Sequence, residues 1–226
     1  MNSREIILAR VREALRVPAA KPGAHGPSPV VASEPGAGPA RWLPAVGHSE
    51  EERLRQFSEC CAALRAEFQL MNSPEEVHAR LAALREAEGW RRVASHRGAL
   101  TDAACAGLGC PVLWTDAGYD KHELERCDAA LTACDALIAQ TGSVLVTSRS
   151  AGGRALSVLP PHHVVLARRE QLLPDLPAAF VWLRQRYAPD FPSFISLITG
   201  PSRTGDIERI LVLGAHGPRR LTILCW

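Results

Sequence analysis

The chain has 226 residues, an apolar content of 46% and a formal net charge of +2 at pH 7. This length suits one α/β domain with some extra structure, and the apolar content is sufficient for a sizeable core. Charges of both signs are interspersed, which excludes the basic stripe expected of a nucleic-acid-binding protein.

The cysteines argue against a disulfide framework and against a metal site. Their number, seven, is odd, and none of them forms a Cys-x-x-Cys motif or a closely spaced cluster. We therefore interpret them as small apolar core residues in a reduced, cytosolic setting. No apolar run approaches the ~18 residues of a membrane span and no apolar signal core is present, so secretion and membrane insertion are not expected.

Two segments precede the predicted domain. Residues 3–16 have the spacing of a short amphipathic helix, with apolar side chains on one face and arginines on the other. Residues 17–47 contain seven prolines and five glycines, so this stretch cannot hold a helix and is predicted to be an extended arm. We therefore divide the chain into an N-terminal helix and Pro/Gly-rich arm, 1–47, and an α/β domain, 48–226.

Two helices open the predicted domain. Ser49 and Glu52 match a capping box, and apolar residues recur at spacings of three and four over 54–68. A second helix is predicted over 74–89, because a proline stands at its start and a glycine at its end.

From residue 90 onward, short apolar runs alternate with helical stretches, which indicates a mainly parallel α/β sheet. His162 and His163 begin one of the predicted strands, and successive side chains of a strand point to opposite faces. We therefore expect at most one of the two rings to face the core. The predicted elements are strands over 91–95, 111–114, 129–131 and 162–167 and a helix over 98–109.

A polar turn separates two apolar runs, 136–139 and 143–146. It consists of Gln140, Thr141 and Gly142. Gly142 can adopt a positive φ, so a hairpin or a bulged strand pair is predicted. The three turn residues either meet a ligand or only reverse the chain.

The C-terminal part is predicted to add two helices and three strands. A helix over 174–187 should direct Leu176, Phe180 and Leu183 toward the core. A buried strand over 194–198 leads into a polar loop. The other elements are a short helix over 154–159 and an antiparallel strand pair, 210–213 with 220–224, that closes the sheet.

The polar loop after residue 198 is the candidate site. Strand ends are where open α/β sheets place ligands. Turn amides, two hydroxyls and a guanidinium suit a carboxylate or phosphate, which Arg203 can bind with two hydrogen bonds. The alternative is that Asp206 caps a turn and Arg203 pairs with Asp206 or Glu208. The candidate anion-binding residues of the loop are Gly200, Ser202, Arg203, Thr204 and Asp206.

Three further groups are expected to contribute to the same site: the Gln140 turn, Arg154 and His216. His216 lies between two glycines in a predicted hairpin, where it would act as a general acid or base or orient a ligand. A ring that only bonds a nearby carbonyl is an equally good interpretation. Walker and G-x-G-x-x-G motifs are absent, and the histidines lack partners at metal spacing, so neither nucleotide fingerprint nor a zinc site is expected.

Four sequence blocks, at 139–143, 153–163, 200–208 and 212–218, carry a family resemblance. Together, and in this order, they resemble the LUD domain family and, within it, the lactate utilisation (LutC/YkgG) group. The match runs from about residue 128 to the C-terminus, and no single block carries it alone.

The resemblance implies a fold of the NagB/RpiA/CoA-transferase type, a three-layer α/β/α sandwich, here with an N-terminal helical extension. It implies a role in the oxidation of L-lactate to pyruvate, together with partner proteins that carry the iron–sulfur clusters. No cofactor is therefore expected on this chain, and a homo-oligomer is left open. The resemblance brings no settled catalytic residue.

Gln140 departs from the family, whose members commonly carry Glu at this position. A glutamine cannot serve as a nucleophilic carboxylate or a general base, so we favour a binding or assembly role over covalent catalysis. One alternative is a stand-alone enzyme of the same fold group acting on an acyl-CoA, phosphate or folate-like substrate. Another is a scaffold whose N-terminal helix and arm dock other subunits.

Overall fold

The computed structural model describes residues 3–14, 16, 44–204, 212–214 and 216–226. The chain divides into two units, Met1–Leu43 and Pro44–Trp226. In the first unit, helix α1 covers Ser3–Ala14, which confirms the predicted N-terminal helix. The predicted arm lies outside the described residues up to residue 43.

The second unit contains five further helices and twelve strands among the described residues. In chain order they are α2 (Glu50–Ala63), β1 (Glu67–Leu70), α3 (Pro74–Glu88), β2 (Val93–Ser95), α4 (Ala99–Ala106), β3 (Val112–Trp114), α5 (Lys121–Glu125), β4 (Ala129–Ala133), β5 (Ala136–Ile138), β6 (Ser143–Thr147), β7 (His162–Ala167), β8 (Leu172–Leu173), α6 (Leu176–Tyr187), β9 (Ile195–Ile198), β10 (Arg203–Thr204), β11 (Val212–Leu213) and β12 (Arg220–Cys225).

Six parallel strands form the central sheet, in the order β1-β12-β7-β4-β2-β3. Helices α3 and α4 cover one face, where Leu81 and Leu84 pack with Leu131 and Val164. The sequence predicted a parallel sheet flanked by helices, and the structure confirms this architecture.

A second sheet, not foreseen from the sequence, covers part of the other face. Its order is β8-β5-β6-β9, and it packs Leu137 and Val144 against Val165 and Ile223 of the central sheet, together with Phe57 of α2. Helix α6 covers the outer face of this second sheet. The inner strands β12, β7, β4 and β2 are therefore buried on both faces, whereas the edge strands β1 and β3 are only half-buried.

The caps that the sequence indicates are present at both predicted helix starts. Ser49 Oγ accepts a hydrogen bond from Glu52 N at 3.1 Å, and the Glu52 carboxylate accepts one from Ser49 N at 3.2 Å. Ser73 caps α3 with Pro74 in its first turn, and Gly89 ends that helix with φ +67°. These groups satisfy amides that the first helical turn leaves without partners.

Replacing Ser49 by alanine is expected to lower the free energy of unfolding by about 1 kcal/mol, because the Glu52 amide loses its acceptor. Urea unfolding followed by far-UV circular dichroism measures this change. Ser58→Ala is the matched control, since Ser58 is exposed in the middle of α2, and its effect should stay within about 0.5 kcal/mol. Equal effects of the two substitutions would contradict the capping role.

The longest described helix, α3, has 15 residues. A bilayer span needs about 20 predominantly apolar residues. Within the described part of the chain, no helix meets this requirement.

Four predictions about individual elements are wrong. The helix predicted over 54–68 ends at Ala63, and Glu67–Leu70 forms strand β1 instead. Residues 154–159 form turns rather than a helix, because so short a segment gains too little to nucleate one and two prolines follow it. Phe180 is 57% exposed, since α6 turns Ala179, Leu183 and Tyr187 inward instead. The strand over 194–198 is half-exposed, because β9 is paired only with β6 at the edge of the second sheet.

The C-terminal strands also differ from the prediction. Strand β12 lies inside the central sheet, parallel to β1 and β7, whereas β11 pairs antiparallel with β10. An apolar run shows that a strand is buried but does not identify its neighbours. His162 and His163 are both buried, 3% and 1% exposed, because both faces of the sheet are covered.

Candidate functional site

A cavity of about 200 Å³ lies where three loops meet the central sheet. It lies at the amino ends of β7 and β12 and at the carboxyl end of β9, whose last residue, Ile198, belongs to the lining. The polar loop after residue 198 therefore borders the cavity at a strand's carboxyl end, although that strand belongs to the second sheet. The lining residues are Ser157, Val158, His163, Ile198, Thr199, Gly200, Pro201, Ser202, His216, Gly217, Pro218 and Leu221.

Three of the predicted site residues, Gly200, Ser202 and His216, line this cavity. Ser202 N donates to Pro218 O at 2.9 Å, and Gly214 N donates to Ser202 O at 2.9 Å. These two bonds join the polar loop to the loop that precedes β12. Ser202 Oγ and the His216 ring make no hydrogen bond to any residue in the described ranges.

Arg203 and Thr204 form β10 and are not among the lining residues, although the preceding residue, Ser202, is. Gly200 has φ +83°, and a Cβ at this position would lie 3.0 Å from Arg203 Nη2 and 3.0 Å from Leu64 O. The guanidinium therefore packs against a lining residue that must be glycine. Asp206 and Glu208, with which Arg203 was alternatively predicted to pair, lie outside the described residues.

His163 is a lining residue that the sequence did not assign to the site. Its Nε2 lies 2.8 Å from Thr132 Oγ1 of the neighbouring strand. Its Nδ1 is buried and has no hydrogen-bond partner within the described part of the chain. Burial, with a smaller contribution from His162, lowers the pKa of His163 to about 3, so the ring is neutral at pH 7.

The Gln140 turn does not line the cavity. Gln140 Nε2 donates to Pro44 O at 2.9 Å, and a Cβ on Gly142, whose φ is +63°, would lie 2.7 Å from Cys60 Cβ of α2. Thr141 Oγ1 lies 2.7 Å from Ser143 Oγ, which lies 2.8 Å from Thr199 Oγ1. This last contact connects the turn to the cavity lining, because Thr199 is a lining residue.

Arg154 is exposed and is not among the lining residues; its guanidinium carbon lies 5.6 Å from the centre of the Phe194 ring. Ser157, three residues later, is buried and donates to Arg154 O at 3.1 Å. The block at 153–163 therefore contributes Ser157 and His163 to the cavity rather than its arginine.

A second polar cluster, missed by the sequence, lies at the carboxyl end of β4. Asp135 accepts hydrogen bonds from Tyr187 Oη and from Ser150 Oγ, both at 2.5 Å. Burial, followed by the Asp135 hydrogen bond, raises the pKa of Tyr187. Since each Asp135 oxygen accepts a hydrogen bond, from Tyr187 and from Ser150, this cluster anchors the loop after β6.

Five of the seven cysteines are buried core residues, and Cys60 and Cys110 are half-buried. Burial raises the pKa of Cys61 to about 12 and that of Cys105 to about 11. All seven thiols are free. Within the described ranges, no group of three or more His, Cys, Asp or Glu side chains is arranged to hold a metal ion.

Comparison with known proteins gives a consistent set of relatives. Residues 114–225 match the model of the LUD domain. The lactate utilization protein C of Deinococcus radiodurans is 33% identical over 126 residues, 51% of this chain and 58% of that protein. The protein of the same name from Bacillus subtilis is 33% identical over 115 residues, 49% of this chain and 48% of its own. The chain thus spans about half the length of these curated relatives.

Two further relatives align over most of the chain. An uncharacterized protein of Neisseria meningitidis is 27% identical over 231 residues, which cover 99% of this chain and 93% of that protein. The crystal structure of a DUF162 family protein from Deinococcus radiodurans superposes with a TM-score of 0.56 at 26% identity, over 79% of this chain and 99% of its own.

Proposed function

Because the chain belongs to the LUD domain family, we propose that it is a LutC-like subunit of a lactate utilisation system in the cytoplasm. In this proposal it acts with iron–sulfur partner proteins in the conversion of L-lactate to pyruvate, and the clusters reside on those partners. The observation that carries the proposal is the agreement between the family match, at 114–225, and the relatives named lactate utilization protein C.

The contribution of this chain is to bind a small anion in the cavity beside Arg203. Ser202 and His216 line the cavity, and within the described ranges Ser202 Oγ and the His216 ring have no hydrogen-bond partner. Arg203 makes no ion pair with a carboxylate in the part of the chain that the structure describes. A guanidinium next to free hydroxyl and imidazole groups suits a carboxylate.

The position of Gln140 supports binding rather than covalent catalysis. Its side chain is 6% exposed and bonds the backbone at Pro44, so it faces the domain interior instead of the cavity. An amide in this place can neither attack an acyl group nor accept a proton. The chemistry of lactate oxidation is therefore assigned to the partner subunits.

Deleting the gene is expected to abolish growth on L-lactate while leaving growth on pyruvate unchanged, because only the first step of lactate use is lost. Wild-type protein should restore growth. The Arg203→Ala variant should restore less than about a tenth of the wild-type growth rate, since a charge-assisted hydrogen bond contributes about 1.5–3 kcal/mol to ligand binding. Arg126→Ala, at an exposed arginine after α5, is the control and should complement fully.

Normal growth of the deletion strain on L-lactate would refute the proposal. Turnover of an acyl-CoA or a sugar phosphate by the purified chain alone would instead support a stand-alone enzyme. Both outcomes can be measured with the same protein preparation and strain.

A further inference from the structure

The outer edge of strand β9 is a surface that the proposed function does not use. Strand β9 ends the sheet β8-β5-β6-β9, and within the described sheets it pairs only with β6. Ser148 N donates to Phe194 O at 2.9 Å. Antiparallel pairing directs alternate residues of a strand to the same neighbour, so Ser196 also faces β6. The N–H and C=O groups of Ile195 and Leu197 therefore point outward.

The side chains at this edge are apolar and partly exposed. Ile195 is 39% exposed and Leu197 is 36% exposed. Leu197 pairs with Leu145, which packs beneath α6, so both exposed side chains lie on the α6 side of the sheet. Residues 193–198 include neither a charged residue nor a proline. An edge strand of this kind is a template for pairing with another chain.

The other outer strands of the two larger sheets carry features that hinder such pairing. In β1, Glu67 forms an ion pair with Arg80 at 2.6 Å. The Arg97 guanidinium carbon lies 3.8 Å from the centre of the Trp114 ring of β3. Strand β8 has two residues and is followed by Pro174. Charge, shortness and proline each hinder pairing at an edge. Among these described outer strands, β9 is therefore the one that is open.

A second copy of the chain fits this edge by symmetry. When two β9 strands run antiparallel about a two-fold axis at Ser196, Ile195 of each copy lies opposite Leu197 of the other. Both members of a pair have outward N–H and C=O groups, so each pair exchanges both backbone hydrogen bonds. The two apolar side chains of a pair meet on the same face. Because residues 193–198 are uncharged, no like charges meet in the ladder.

We propose that two copies of this chain associate through β9, which joins their four-stranded sheets into one continuous sheet across a two-fold axis. Strand β9 has four residues, and so short a strand pair buries less than the ~1,200 Å² of a stable interface. The dimer should therefore dissociate on dilution, with a dissociation constant of roughly 1–100 μM. The inference does not depend on the lactate proposal, because it concerns a different surface.

Sedimentation velocity of the full chain tests the association. The average mass should rise from that of a monomer toward that of a dimer between ~1 and ~500 μM. Two double variants test the register. I195K/L197K places like charges opposite each other and should raise the dissociation constant about tenfold or more. I195E/L197K places opposite charges at the same positions and should associate about fivefold more tightly than I195K/L197K.

Leu70→Lys is the matched control, because Leu70 is 41% exposed on the outer strand β1, and it should leave the association unchanged. A chain that stays monomeric over the whole range overturns the inference, whether β9 then pairs with a different protein or with none. This measurement needs no variant. Equal dissociation constants for the two double variants also overturn it, and so does a Leu70→Lys effect as large as that of I195K/L197K.

Discussion

Lowering the pH from 7 to 5 is expected to reduce the free energy of unfolding by about 4 kcal/mol, about 2 kcal/mol for each of two buried histidines. Burial lowers the pKa of His162 to about 4 and that of His163 to about 3, from 6.5. In the unfolded chain both rings take up a proton below pH 6.5, whereas in the folded chain they stay neutral at pH 5. Their stabilising contribution is therefore complete above pH 6.5 and is lost as the pH falls.

Urea unfolding at pH 5, 6 and 7 measures this dependence. His162→Gln and His163→Gln should each remove about half of the pH-dependent loss, although both also lower the stability at pH 7. His122→Gln is the control, because the His122 side chain is 65% exposed, and it should leave the dependence unchanged. Persistence of the full loss in the double variant H162Q/H163Q would show that other groups cause it.

Gly152→Ala is expected to lower the free energy of unfolding by about 2–5 kcal/mol. Gly152 has φ +60°, and a Cβ here would lie 2.3 Å from His96 Cβ. A left-handed conformation costs about 1–2 kcal/mol for an L-residue, and overpacking adds about 1–3 kcal/mol. His96 cannot yield easily, since Ala133 N donates to its Nε2 at 3.2 Å and its Nδ1 lies 3.0 Å from Arg97 O.

The neighbouring glycine supplies the control for this substitution. Gly153 has φ +96°, but a Cβ at this position would have no atom within 4 Å. Gly153→Ala should therefore cost only the backbone part, about 1–2 kcal/mol. Urea unfolding of both variants, and of G152A combined with H96A, separates the two contributions. Similar losses for Gly152 and Gly153 would contradict the close contact with His96.

Local signals in the sequence were sufficient for most of the secondary structure. The Ser49 and Ser73 caps, the αL glycine at position 89 and the hairpin at Gly142 each depend on residues within one turn of each other. The arrangement of strands depends on contacts between distant residues. Nothing in the run 220–225 indicates that it pairs with β1 and β7 rather than with 210–213.

The candidate site shows the same difference between features set by local sequence and features set by contacts between distant residues. Ser202 and His216 could be proposed from the sequence, because they stand in polar glycine-containing loops. His163 could not, because its role depends on β7 lying next to β12 in the sheet and on a cover over both sheet faces. The sequence predicted Gln140 and Arg154 at the site because polar residues and glycines surround them. In the structure Gln140 bonds the backbone of Pro44, and Arg154 lies beside Phe194.

The two backbone hydrogen bonds at Ser202 hold the polar loop and the loop before β12 together, which affects how fast a ligand can enter the cavity. Separating the loops would break both bonds, at about 1 kcal/mol each, so the joined state outnumbers an open one roughly thirtyfold. His216, a lining residue, is exposed, so a ligand can reach this part of the lining without separation of the two loops. Association should then proceed at the speed of diffusion to a fixed opening, and differences in affinity among ligands should appear in how slowly they leave.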